Sequence, residues 1–216
     1  MKSLKSILCS EPWIWDSDGQ CQISFNSNGT GALTCRSEFS LYIAAELDWE
    51  LTPGPTAASP TSSPTPSIAP AAIFLDPDCG PTTLVTLSLK ITLTKRRLAR
   101  FADGKRELNE DYLHDSAFKP RIFHVRLERG DFIPTADANH YKSAGRAVPG
   151  HTLRYGLKLV FDPPPYPPAE DWKDPTNGPV TLRVWDFNEF CADKRGTVAD
   201  RDSWAGRILR SLTEKA

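Results

Sequence analysis

The chain has 216 residues and lacks most of the motifs that announce a chemistry. Its five cysteines, Cys9, Cys21, Cys35, Cys79 and Cys191, include no Cys-x-x-Cys pair. The four histidines, His114, His124, His140 and His151, show neither His-x-His nor His-Glu-x-x-His spacing. No residue set therefore points to a metal. No glycine-rich loop follows a strand and opens a helix, so nucleotide binding has no support and no cofactor is expected. Lys and Arg number 26 against 27 Asp and Glu, a net charge of -1, without the basic excess of a duplex nucleic-acid binder. No apolar run approaches the length of a membrane helix, so no membrane insertion is expected. The N-terminal MKSLKSILCSEPW has too short and broken an apolar stretch for a signal peptide. The expectation is a cytoplasmic protein with reduced thiols, in which Asn28-Gly29-Thr30 is a turn and Lys95-Arg96-Arg97 a charged strand end exposed to solvent.

What the chain does contain is strict alternation. From Val85 to Thr94 every odd position is aliphatic and every even one polar. The odd series returns in Phe39, Leu41, Ile43, Ala45, Leu47, Trp49 and Leu51, in Phe123-Val125-Leu127, and in Leu153, Tyr155, Leu157, Leu159 and Phe161. A period of two turns one face of a strand to a core and the other to water. Antiparallel sheets accommodate that pattern, whereas buried parallel strands read as continuous apolar runs. Glu46, Asp48 and Glu50 then belong to a solvated sheet face, as does His124 with Arg126 and Glu128.

The expected strands are Trp13–Trp15, Cys21–Phe25, Leu33–Cys35, Phe39–Leu51, Val85–Leu93, Arg121–Leu127, Leu153–Phe161 and Val180–Phe187. Ser27-Asn28-Gly29 should form a three-residue hairpin loop, pairing Asn26 with Thr30, Ile23 with Leu33 and Cys21 with Cys35. The two thiols should then be free but close enough to oxidise in vitro. Residues 53–72 are Pro, Ser, Thr, Ala and Gly with almost no large apolar side chain, which predicts a disordered loop inside a single domain spanning 1–216. A short capped helix is expected around Leu108–Leu113, a turn at Arg129-Gly130-Asp131, an irregular stretch over 137–150, and a C-terminal helix through Trp204, Ile208 and Leu212. No helix is long enough for a parallel crossover. About eight strands in sequence, with short peripheral helices, describe an all-β antiparallel up-and-down barrel, which removes exposed edges.

The Trp-bearing first strand, the Phe25-x-x-x-Gly29-Thr30-Gly31 hairpin and the late Arg183-Val184-Trp185 resemble the lipocalin-type (calycin) barrels. The Trp-rich start, the Asn-Gly-Thr-Gly turn and the Tyr-Pro-Pro stretch are also similar to a group of small fungal proteins. The resemblance implies binding of a small hydrophobic molecule. Some barrels of this shape in fungal biosynthesis instead fold or cyclise their ligand.

At that strand number the interior is either filled or holds one small ligand. Phe25, Trp49, Phe123, Tyr155 and Trp185 lie on expected inward faces as ligand wall or as core, with Arg183 as an acidic ligand's anchor or a surface charge. His140 and His151 flank an irregular segment that could approach a barrel mouth. Pro163-Pro164-Pro165-Tyr166 matches the pattern read by WW domains, or is a stiff connector. Three functions follow: binding of a small hydrophobic molecule in the barrel, cofactor-independent isomerisation or cyclisation in the same pocket, or a scaffold that recruits a protein partner through Pro163–Tyr166.

Overall fold

The computed structural model describes residues 3–37, 40–52, 80–101, 108–174 and 182–196. Eight antiparallel strands close into one ring in chain order: β1 (Trp13–Ile14), β2 (Cys21–Phe25), β3 (Thr30–Ser37), β4 (Ser40–Thr52), β5 (Thr82–Arg97), β6 (Arg121–Phe132), β7 (Arg154–Asp162) and β8 (Glu189–Gly196). Ile14 opposite Cys191 joins β1 to β8 and completes the ring. Two short helices, α1 (Leu4–Leu8) and α2 (Thr135–Ser143), and several 3-10 turns lie at its periphery.

The hairpin register follows from parity. Cys21 faces Cys35 and Ile23 faces Leu33, while the Asn26 amide donates to the Thr30 carbonyl at 2.7 Å. Asn28 Oδ1 accepts from the Thr30 amide and hydroxyl at 3.0 and 2.8 Å, and Gly29 takes the left-handed φ of +88° that the turn needs. A Cβ on Gly31 would collide with the Ser24 carbonyl oxygen, so the hairpin base also demands glycine. Strands β4 and β5 pair directly, Trp49 opposite Ile91 and Leu51 opposite Leu89. They bracket residues 53–72, which lie outside the described residues, as does the expected C-terminal helix.

The buried odd-numbered side chains of β2 to β6 point inward, as do Leu159 and Phe161 of β7 and the even-numbered Phe190 and Ala192 of β8. Ile43, Leu47, Leu89, Val125, Leu159 and Phe190 are 0 % exposed and belong to one hydrophobic cluster. Each such side chain contributes about 1.5–3 kcal/mol. The even faces carry charge as expected: Arg96 pairs with Glu46 and Asp48, and Lys90 with Glu50. His124 is exposed, 3.2 Å from the Ser88 hydroxyl. Buried Asn109, in a 3-10 turn at φ +48°, accepts from the Ala44 amide and donates to its carbonyl where the β4–β5 pairing is irregular.

Three expectations are corrected. The last strand is Glu189–Gly196, not Val180–Phe187. Val184–Asp186 forms a 3-10 turn entered through left-handed Arg183, and its three-residue repeat puts Val184 and Phe187 on one side, against the core, at 0 and 5 % exposure. A segment apolar on both parities suits a compact plug better than a two-faced strand. Arg129-Gly130-Asp131 does not turn; β6 runs through to Phe132 with irregular pairing. The 137–150 stretch holds most of α2, which buries no residue and so leaves no apolar period to read.

Candidate functional site

Side chains fill the middle of the barrel. Leu33, Leu127 and Phe161 are each 1 % exposed, beside neighbours at zero. Little accessible surface remains on these side chains, as in an ordinary protein interior. One end is stopped by α1, where Leu8 is buried, Trp13 Nε1 donates to its carbonyl at 3.0 Å, and Lys5 Nζ stands 6.0 Å from the Trp49 ring. The β7–β8 connection closes the other. Tyr166 enters there, 2 % exposed, its hydroxyl donating to the Thr34 carbonyl at 2.6 Å. The tyrosine of the Pro-Pro-x-Tyr stretch is thus packed into the barrel end.

The six residues singled out from sequence do not share one wall. Phe25 and Trp49 meet edge to face at 5.1 Å, and Phe123 meets Phe161 at 6.3 Å, all inside the main cluster. Tyr155 belongs to a separate cluster with Phe132 and Cys191. It follows the register shift at Arg154/Tyr155, and Ile14 and Cys191 pair on this patch. Trp185 is half-buried against the core from the 3-10 turn, and Arg183 is 70 % exposed at its side chain, 2.7 Å from Asp186.

A groove of about 280 Å³ lies where the β1–β2 turn, β3, α2 and the β7–β8 connection meet. Its apolar wall is Trp15 stacked on Phe187, centroids 3.5 Å apart and planes 9° from parallel, with Leu182 and Ala136 beside them. Asp16, Asp18, Gln20 and Cys21 come from the turn, Arg36 and Ser37 from β3, and Asp137 and His140 from α2. The turn is built locally. Asp16 carboxylate oxygens accept from the Gln20 and Cys21 amides at 2.9 and 2.8 Å, and Gly19 supplies a φ of +63°. The Trp15 amide donates to the Cys21 carbonyl, which fixes the indole's backbone. Helix α2 docks by its first turn: the Ala136 amide donates to the Trp15 carbonyl, Ser17 Oγ to Asp137 Oδ1 and Thr135 Oγ1 to Glu189.

Asp137 is the electrostatically distinct group of this groove. Burial pushes its carboxyl above the usual range, the Ser17 hydrogen bond works against that, and Asp16 and Asp18 add to the rise. Its Oδ2 is buried without a hydrogen-bond partner among the described residues. His140 stands one helical turn further on. An apolar plate, a carboxylic acid of raised proton affinity and an imidazole can together hold a flat molecule and exchange a proton with it. His140 lies at this mouth, whereas His151 is exposed and does not line the groove.

Sequence reasoning did not find Asp137 as a site residue. The one available signal was its i, i+3 spacing from His140, invisible without a helix to carry it. Behind the groove, Cys21 Sγ and Cys35 Sγ are 3.8 Å apart, both free. Among the described residues no group of His, Cys, Asp and Glu could hold a metal ion, and no helix is long and apolar enough to cross a membrane. Compared with known proteins, the chain matches no family model, no curated protein and no solved structure.

Proposed function

We propose that the protein binds a small, flat, largely apolar molecule at the end of its barrel, against the Trp15–Phe187 plate. The observation that carries this is the groove, whose volume of about 280 Å³ lies just below that of drug-sized ligand sites, roughly 300–1,000 Å³, and so suits a small molecule. Such sites combine an apolar wall with a few convergent polar groups, here Asp137, His140 and Arg36. A ligand held wholly within the barrel would require the packed interior to open; binding at the groove does not. Lipocalin-type kinship and a cytoplasmic setting belong to the same reading, supported by the eight-strand meander and by the four free thiols among the described residues.

The test is titration of the full chain with N-phenyl-1-naphthylamine, an uncharged flat probe, followed by its fluorescence. Saturable binding with one site per chain is expected. Ala136→Trp, which fills the groove from the helix side without touching the core, should weaken it at least tenfold. Equal binding by both proteins would refute this location.

A second reading, cofactor-free isomerisation or cyclisation of the kind found in fungal specialised metabolism, rests on Asp137. Its unpartnered oxygen and raised proton affinity suit a general acid. For a ligand retained from the source cells, Asp137→Asn should preserve binding and abolish turnover. Unchanged turnover would leave a binding protein.

A further inference from the structure

We propose that Cys21 and Cys35 are a site of reversible oxidative modification, at which a hydroperoxide arriving through the groove converts them into a cross-strand disulfide. The two residues are direct partners across the β2–β3 hairpin. Their sulfurs stand 3.8 Å apart without a bond, and opposed strand residues have the Cα separation that a disulfide needs. Closing the bond therefore requires side-chain rotation and no change of strand register.

The site is asymmetric, which sets the order of events. Cys21 lines the groove and is 3 % exposed; Cys35 sits behind it at zero. The hydrogen bond shared with Cys21 and its own burial push the Cys35 thiol well above its usual range, so it is the poorer first nucleophile. Cys21 sulfur attacks the distal oxygen of the hydroperoxide, the O–O bond breaks, and the thiol proton leaves on the departing alkoxide or hydroxide. Cys21 becomes a sulfenic acid. The Cys35 sulfur then attacks the Cys21 sulfur, the S–O bond breaks, and hydroxide leaves with the Cys35 proton as water. Two thiols lose two electrons and two protons, and the hydroperoxide becomes an alcohol (or water) and a second water. A dithiol reductant reverses the change.

The other described cysteines lack this arrangement. Cys191 lies in the separate cluster with Phe132 and Tyr155, its thiol pushed up to about 12 by burial, and Cys9 is half-buried beside α1. The pair is also wired to the groove. The Cys21 amide is held by Asp16 and its carbonyl by the Trp15 amide, so a shift at sulfur reaches the indole within two bonded contacts.

The experiment treats the reduced full chain with hydrogen peroxide under native conditions, then alkylates free thiols. Intact mass before alkylation is compared with a non-reducing chymotryptic map, since cleavage after Phe25 separates the two cysteines where trypsin cannot. A loss of about 2 Da, a Cys21–Cys35 linked peptide, reversal by dithiothreitol and a change in tryptophan emission are expected. Cys35→Ser should strand Cys21 as a dimedone-reactive sulfenic acid, and Cys21→Ser should leave Cys35 reduced. The proposal is overturned by the absence of that mass loss, by a link through Cys9, Cys79 or Cys191, or by first oxidation at Cys35. If a serine variant does not fold, the map of the unmutated chain decides. The test does not depend on whether the groove binds a ligand.

Discussion

Replacing Tyr166 by Phe isolates a single atom that closes the barrel end. The ring is 2 % exposed and lies 6.0 Å from Phe187 and 6.2 Å from Phe190, contacts that phenylalanine keeps. What is lost is the 2.6 Å hydrogen bond to the Thr34 carbonyl, which is left with one donor fewer in a dry place. A buried hydrogen bond removed from one side costs about 1–3 kcal/mol, and retention of the ring favours the lower half of that range. The midpoint of thermal unfolding should fall by roughly 2–8 °C. Urea unfolding followed by tryptophan fluorescence should show a lower midpoint with an unchanged slope. The same substitution has a pH consequence. Burial raises the Tyr166 phenol well above its ordinary value of 10.0, so the folded state holds that proton more tightly than the unfolded one. The contribution is full below pH 10 and is lost as pH rises through the folded-state value. Tyr166→Phe should therefore lose less stability than the unmutated chain between pH 10 and 11. An unchanged urea midpoint, or a loss as large as the roughly 3–5 kcal/mol of an aromatic-to-alanine change, would refute the role given to this hydroxyl.

Asp137→Asn should stabilise the protein at pH 7 and have no effect near pH 3. The raised carboxyl gives its contribution below the unfolded value of 3.8 and loses it as pH climbs, so removing the charge removes the neutral-pH penalty; equal melting temperatures at pH 7 would contradict this. Asn109→Ala leaves the Ala44 amide and carbonyl without their side-chain partners and puts alanine at φ +48°. Equilibrium unfolding should show a loss of about 2–4 kcal/mol. Arg183→Ala removes only an exposed ion pair with Asp186, and its unfolding free energy should stay within about 0.5 kcal/mol of the parent.

How much was legible differs by residue. The Cys21–Cys35 pairing could be read because alternation and a three-residue loop leave one register that buries both hydrophobic sets. The charged face of Glu46, Asp48 and Glu50 was legible for the same reason. Tyr155 was misplaced because parity counting assumes an unbroken ladder, and the pairing shifts beside it. Val184 and Phe187 were read as strand residues because a segment apolar on both parities carries no periodicity at all. Helix α2 escaped notice because it holds on by its first turn and buries nothing.

The all-β class, the meander order and the inward faces of β2 to β6 were thus determined by sequence alone, since a period of two acts over neighbouring residues and needs no knowledge of the rest of the chain. The groove was decided by tertiary structure. Trp15, Cys21, Asp137 and Phe187 lie up to 172 residues apart (187 − 15), and they meet because ring closure between β1 and β8 brings the first turn of the chain beside its last connection. Closure depends on the summed twist and stagger of all the strands, a property that no local pattern contains.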